Sequence, residues 1–167
     1  MCDSIIAQLN SQPWTPHRFY NYTTNEMVTH EKDLEFSEHI VEEVEPLMQI
    51  IWNSLQQYFI ELNFPWYSNW NGFTGIRWNR YNTGSLMQSH CDHIQSIFDG
   101  NRKGIPILSI IGILNDDYEG GELVMFEDKI IECKKGDLLV FPSNFLYPHR
   151  VDEVKSGTRF SFVSWVW

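Results

Sequence analysis

Cysteine is scarce: Cys2, Cys91 and Cys133 are the only three in 167 residues, and no pair is spaced as Cys-x-x-Cys. An odd count at irregular spacing offers neither a disulfide framework nor a zinc-finger site, and it points to a reducing, cytosolic setting. Long apolar runs are missing too. No stretch approaches the length a bilayer-spanning helix needs, and the opening Met-Cys-Asp-Ser-Ile-Ile-Ala-Gln lacks the basic region and apolar core of an export signal, so a soluble, unexported protein is expected, with no membrane partner. Positive charge is in deficit, 12 Lys and Arg against 22 Asp and Glu, for a formal net charge of -10. Such a surface repels phosphate backbones, which argues against broad nucleic-acid binding and suits a cationic protein partner. Neither an internal repeat nor an interdomain linker divides the chain.

What is present is ordinary globular composition, 43% hydrophobic, with an aromatic share of 15% that favours a β-rich core or an aromatic-lined cleft. The length fits one domain over residues 1–167. Residues 12–30 mix Trp14, Phe19, Tyr20 and Tyr22 with two prolines and read as an irregular arm plus a short strand. His17, His30 and His39 have no carboxylate or second histidine at ligand spacing and read as surface or locally bonded. From Pro46, apolar residues Leu47, Ile50, Ile51, Leu55, Tyr58, Phe59 and Leu62 recur with helical period, and Pro46 suits a first helical turn. The stripe should cover a sheet, while Glu42, Glu43 and Glu45 sit where the helix dipole favours negative charge.

After Asn63-Phe64-Pro65 the period changes to short strand-like runs separated by Asn-Gly, Asp-Gly, Gly-Gly and Lys-Gly-Asp turn signals. The runs are 74–81, 86–93, 105–114, 121–126, 129–133, 137–141, 147–152 and 158–166. Many short strands at this spacing predict a mainly β fold with a flanking helix, a sandwich or barrel, and a jelly roll is the form that brings distant strands to one mouth.

The chemistry centres on His90-Cys91-Asp92 and the distant His149. Two imidazoles and one carboxylate make the facial triad that leaves open positions on a non-haem Fe(II). With His90 and Asp92 on one strand, alternation would put both on one face and turn Cys91, read as a buried inert thiol, to the other.

Around these residues stand Arg80-Tyr81-Asn82-Thr83-Gly84, Ile113-Leu114-Asn115, Gly120-Gly121-Glu122-Leu123, Lys135-Gly136-Asp137 leading to Phe141-Pro142, Pro148-His149-Arg150-Val151 and Gly157-Thr158-Arg159-Phe160-Ser161. The ordered series resembles the 2-oxoglutarate and Fe(II)-dependent dioxygenases, in the prolyl 4-hydroxylase-like branch, over about residues 74–167. The resemblance implies a double-stranded β-helix (jelly roll), an N-terminal arm and helix over 1–73 and a catalytic core over 74–167. It implies iron held by His90, Asp92 and His149, the residues of catalysis, with 2-oxoglutarate and dioxygen as cosubstrates and ascorbate as an accessory reductant. In that family a basic residue about ten positions after the second histidine takes the far carboxylate of 2-oxoglutarate, and Arg159 occupies the place. A guanidinium suits that task independently, because its planar fork grips a carboxylate with two parallel hydrogen bonds. Alternation puts Ser161 and Trp165 on the same face as Arg159, so Ser161 is a second contact for that carboxylate, and Tyr81 matches a tyrosine that bonds the cosubstrate.

The sequence departs from the family pattern at Met87 and Ile113, where many members carry tyrosines; Ser109, a lone polar residue in an apolar run, either compensates or bonds within its own sheet. Gly120-Gly121 and Lys135-Gly136-Asp137 read as turns that need positive φ.

The activity implied is hydroxylation of a prolyl residue in a polypeptide, with release of succinate and carbon dioxide. Trp66, Tyr67, Trp70 and Trp78 are candidates for a groove that packs a proline ring, or for core, and residues 93–104 for a gating loop. The acidic surface favours peptides with basic flanks. The alternatives are an oxygenase of free amino acids or alkylated nucleobases and a non-catalytic cupin-like binding module. No second arginine follows Arg159 shortly, as the nucleobase reading would want, and a binding module has no use for Arg159 in register with His149.

Overall fold

The structure is a computed structural model that describes residues 1–21, 23–30, 32–64, 72–92 and 106–167. It opens with helix α1 (Cys2–Leu9), which burial rather than propensity sustains: eight residues are too few to be helical alone in water, but Ile5 and Leu9, one turn apart, are completely buried. Short strands β1 (Thr15–Pro16), β2 (Phe19–Asn21), β3 (Glu26–Val28) and β4 (Glu35–Ser37) follow. Helix α2 (Val44–Leu62) contains the expected stripe. Pro46 is its third residue, where a missing N–H costs nothing, and Asn63 ends it in the left-handed region at φ 46°, its N–H donating to the Phe59 carbonyl. Leu47, Ile51 and Leu55 are buried, but Ile50 is 46% exposed, so the stripe is narrower than the sequence implied.

Strands β5 (Arg77–Tyr81), β6 (Met87–His90), β7 (Leu108–Ile113), β8 (Glu119–Gly120), β9 (Leu123–Met125), β10 (Lys129–Ile131), β11 (Leu138–Pro142), β12 (His149–Val151), β13 (Val154–Ser156) and β14 (Arg159–Val166) complete the order. Each strand-like run read after the helix overlaps one of them, while β8 and β13 fall between the runs. Among the described residues the larger sheet runs β1-β4-β5-β14-β7-β11 and the next β10-β9-β12-β6, with antiparallel neighbours in both. The arm is thus less irregular than expected, since β1 and β4 extend the large sheet.

Alternation along the large sheet builds two apolar layers. One face, with Trp78, Leu108, Ile110, Phe160, Phe162 and Val166, packs on Ile5, Leu9, Leu47, Ile51 and Leu55 of the helices. The other, with Tyr81, Ile111, Ile113 and Phe141, packs on Met87, Leu123, Met125 and Val151 of the second sheet. Gly112 allows the first layer to close: a Cβ there would fall 2.0 Å from Phe162 Cε1. Trp78 therefore belongs to the core. It is fully buried, its ring lies 5.9 Å from that of Phe162 and its indole N–H donates to the His39 carbonyl at 2.8 Å, so it lines no groove. Trp66, Tyr67, Trp70 and the loop 93–104 lie outside the described residues.

Candidate metal centre

Hydrogen-bonded strands β6 and β12 bring the two histidines together. His90 and His149 are directly opposite in the ladder, with ring centroids 4.3 Å apart. Each Nδ1 is held by a carbonyl two residues back, His90 by Gln88 at 2.9 Å and His149 by Tyr147 at 3.2 Å. With Nδ1 donating to a carbonyl, each Nε2 is the free lone pair that a metal takes. Asp92 does not share the strand with His90, as the alternation argument assumed. β6 ends at His90, and Asp92 sits in the bend after it. The carboxylate arrives by that bend: its Oδ1 lies 3.3 Å from His90 Nε2 and 3.8 Å from His149 Nε2. Cys91 points elsewhere, its half-buried thiol donating to the Phe145 carbonyl at 3.6 Å.

The ligand atoms of His90, Asp92 and His149 all fall within 4.8 Å of one another. Their charge states suit a metal. Burial alone would raise the Asp92 carboxyl, but the His90 and His149 rings and the Ser109 hydroxyl outweigh it and hold the group below the ordinary carboxylate range. Burial lowers His149, against the pull of Asp92, and so favours the neutral imidazole a metal requires.

The second oxygen of Asp92 is fixed by two groups. Ser109 Oγ donates to Oδ2 at 2.6 Å and Trp165 Nε1 donates at 3.1 Å, while Ser143 Oγ stands 2.8 Å from Ser109 Oγ. Ser109 thus neither serves only its own sheet nor takes over a tyrosine's place; it orients the carboxylate. The sequence signal was its isolation in an apolar run, together with the shared face of Trp165 and Arg159.

Arg159 is 1% exposed and pairs in register with Tyr81, whose ring centroid is 5.0 Å from the guanidinium carbon. It donates through Nη1 to Ser161 at 3.0 Å; its Nε has no partner, and among the described residues no carboxylate lies within ion-pair distance. A buried guanidinium left this way fits an external carboxylate such as that of 2-oxoglutarate. Gly121 makes room for it: at φ +65°, a Cβ there would come within 3.2 Å of Arg159 Cδ. Met87 and Ile113 lie in the apolar layer and add no hydroxyl, while the Tyr81 ring and the Ser161 hydroxyl lie beside the guanidinium.

One histidine is misread by the sequence. His17 is not on the surface. It is buried edge-on to Phe19 at 4.5 Å, and its Nδ1 has no partner. Burial, with the nearby Arg77 and His90, pushes it down to about 4, so it is neutral. His30 and His39 are exposed, as expected.

Residues 76–167 match the model of the 2OG-Fe(II) oxygenase superfamily. A PKHD-type hydroxylase of Idiomarina loihiensis is 35% identical over 91 residues, 53% of this chain and 39% of that protein. Another, of Crocosphaera subtropica, is 31% identical over 129 residues, 74% of this chain and 55% of that protein. The chain spans about half the length of such relatives. Among solved structures, a prolyl hydroxylase of Trichoplax adhaerens in complex with a hypoxia inducible factor peptide fragment superposes with a TM-score of 0.69 at 17% identity, over 99% of this chain and 75% of that one. A Pseudomonas putida prolyl-4-hydroxylase superposes with a TM-score of 0.59 at 19% identity, over 99% and 98%. With more than half its length matched and the histidine-carboxylate trio assembled, the chain belongs to the 2OG-Fe(II) oxygenase superfamily, whose members use Fe(II), 2-oxoglutarate and dioxygen.

Proposed function

We propose that this protein hydroxylates a prolyl residue in a polypeptide, releasing succinate and carbon dioxide, from one catalytic unit in which the two facing sheets form a double-stranded β-helix and the arm and helices brace it. The observation that carries the oxygenase part is Arg159: buried, facing Tyr81 and Ser161, and without a carboxylate partner among the described residues. The prolyl part is supported by the names of the similar proteins, two of the fold neighbours being prolyl hydroxylases by name and one of those being in complex with a peptide.

His90, Asp92 and His149 would hold the iron, which with 2-oxoglutarate and dioxygen supplies the oxidation of a C–H bond. Everything else is the work of the chain. Arg159 grips the far carboxylate of 2-oxoglutarate with its planar fork, and Tyr81 and Ser161 add hydroxyls beside it. Ser109 and Trp165 occupy Asp92 Oδ2, so that Oδ1, the oxygen nearest both histidines, is the one presented to the metal. Phe141, in the apolar layer that also holds Ile111 and Ile113, packs edge-on against the His149 ring with centroids 5.0 Å apart.

The test is mass spectrometry of proline-containing peptides incubated with protein, Fe(II), 2-oxoglutarate and oxygen. A 2-oxoglutarate-dependent gain of one oxygen on proline is expected, lost in His90→Ala, Asp92→Ala and His149→Ala proteins that keep the wild-type circular dichroism. Oxidation confined to free amino acids, nucleobases or another side chain would reject the prolyl substrate and retain the oxygenase.

A further inference from the structure

A second guanidinium stands on the face of the large sheet that carries Arg159. Arg77 opens β5, two residues before Asn79 and four before Tyr81, so all three point to the same side. Four residues of strand separate Arg77 from the Arg159–Tyr81 pair by roughly 13 Å, which makes the two cations distinct sites. Arg80, on the opposite side, is an ordinary structural arginine, paired with Glu35 at 2.8 Å. Arg77 has no such partner: its Nε is buried and unbonded, and among the described residues no carboxylate lies within ion-pair distance.

Aromatic faces hold it instead. The guanidinium carbon is 5.2 Å from the Trp165 ring centroid and 5.7 Å from that of Phe36. Stacking on rings supports a partly desolvated guanidinium and orients its plane while leaving its N–H edges free. The same indole donates its N–H to Asp92 Oδ2 at 3.1 Å, which puts Arg77 one indole away from the metal ligands; burial lowers the Arg77 pKa, and Tyr81, Asp92 and Glu38 act against that lowering. Arg77 and Trp165 line a cavity of about 630 Å³, together with Thr74, Gly75, Glu38 and His39. His17 stands within electrostatic reach of both Arg77 and His90 and is neutral, so it does not compete with Arg77 as a cation.

We propose that Arg77 anchors a carboxylate of the substrate being oxidised, so that the C–H bond attacked lies in a residue that carries, or directly adjoins, a free carboxylate. This rests on the oxygenase reading of the metal centre and narrows its substrate class. The anchored group is a C-terminal carboxylate, an acidic side chain beside the target, or the carboxylate of a free amino acid. Glu38 and Glu45 border the same cavity, so one carboxylate is drawn to Arg77 while a second negative charge is repelled.

The experiment is anaerobic calorimetry on the full chain loaded with Fe(II) and 2-oxoglutarate. The probes are acetyl-alanyl-proline as free acid and as amide, a peptide amide with proline followed by aspartate or by asparagine, and L-proline against L-prolinamide. In at least one pair the carboxylate member is expected to bind about 10-fold more tightly or better, the scale of a charge-assisted pair, and the pair that does so identifies the source of the carboxylate. Arg77→Gln should bring that ratio close to one, and Arg77→Lys should restore part of it. Equal binding within every pair, or a ratio that survives Arg77→Gln, overturns the proposal. A purely structural Arg77 that only braces Trp165 would weaken Fe(II) binding and leave the ratio intact. Succinate release by the wild-type protein is measured in parallel. Its absence with every probe would count against the oxygenase reading alone, since a retained acid-over-amide ratio would still support the anchor.

Discussion

Trp165→Phe removes the indole N–H from the metal centre while keeping a smaller aromatic ring in its place. The phenyl ring keeps an aromatic face beneath Arg77, but Asp92 Oδ2 loses the indole donor at 3.1 Å and retains only Ser109 at 2.6 Å. Asp92 is mostly buried, so water does not readily replace the lost donor. A hydrogen bond to a charged group contributes about 1.5–3 kcal/mol, and loss of such an outer partner weakens metal binding about 10- to 100-fold. Two consequences are expected. In equilibrium titration with Co(II), followed by its visible absorption, the dissociation constant should rise by that factor. In succinate assays the Fe(II) concentration for half-maximal rate should rise in step, while the rate at saturating Fe(II) recovers most of its wild-type value, because the three ligands are still present. Ser109→Ala should act in the same direction with a larger effect, since its bond is shorter and Ser143 Oγ would lose its neighbour as well. Wild-type Co(II) affinity in both variants, in folded protein, would refute the claim that these two side chains orient Asp92.

Arg159→Lys keeps the charge and loses the fork, so the Michaelis constant for 2-oxoglutarate should rise by about 10-fold or more, with Arg159→Ala worse; unchanged 2-oxoglutarate dependence in both would put the anchor elsewhere. Gly112→Ala would drive a methyl into the Phe162 ring, and thermal or urea unfolding should register a loss of about 3 kcal/mol or more. His17 is held neutral down to about 4 in the fold, against 6.5 unfolded, so the unfolded chain binds the extra proton between those values. Stability should therefore fall as pH drops from about 6.5 to 4, by up to roughly 3 kcal/mol, and His17→Phe should flatten that acid limb in denaturant titrations at stepped pH.

Much of the fold could be read along the chain because it rests on local patterns. Helix α2 shows as a period of three and four, the strands of the second half as short alternating runs between glycine turns, and the turns at Gly120-Gly121 and Gly136 do carry positive φ. Helix α1 escaped because eight residues with two inward apolar side chains make no periodic signal long enough to separate from chance; it exists by docking Ile5 and Leu9. Trp78 stayed open between groove and core because a tryptophan's type does not reveal which face of a strand it occupies. Partners 39 and 84 positions away, His39 and Phe162, settled that.

The sequence by itself determined the identity of the chemical groups and their order: His90 and Asp92 as a pair, His149 57 residues beyond Asp92, and Arg159 in step behind it. These follow from residue type and spacing, which carry the ligand chemistry but not the path by which Asp92, beyond the end of β6, reaches the histidines. Only the tertiary structure decided which oxygen of Asp92 faces the histidines, that Ser109 and Trp165 hold the other, that His17 is buried and neutral, and that of two neighbouring arginines on β5 one is paired with a carboxylate and the other, among the described residues, is not. The physical reason is that burial and hydrogen-bond partnership depend on side chains brought together across sheets from distant positions. A buried charge or polar atom is costly or useful according to what faces it, and what faces it is set by packing rather than by its neighbours in the chain.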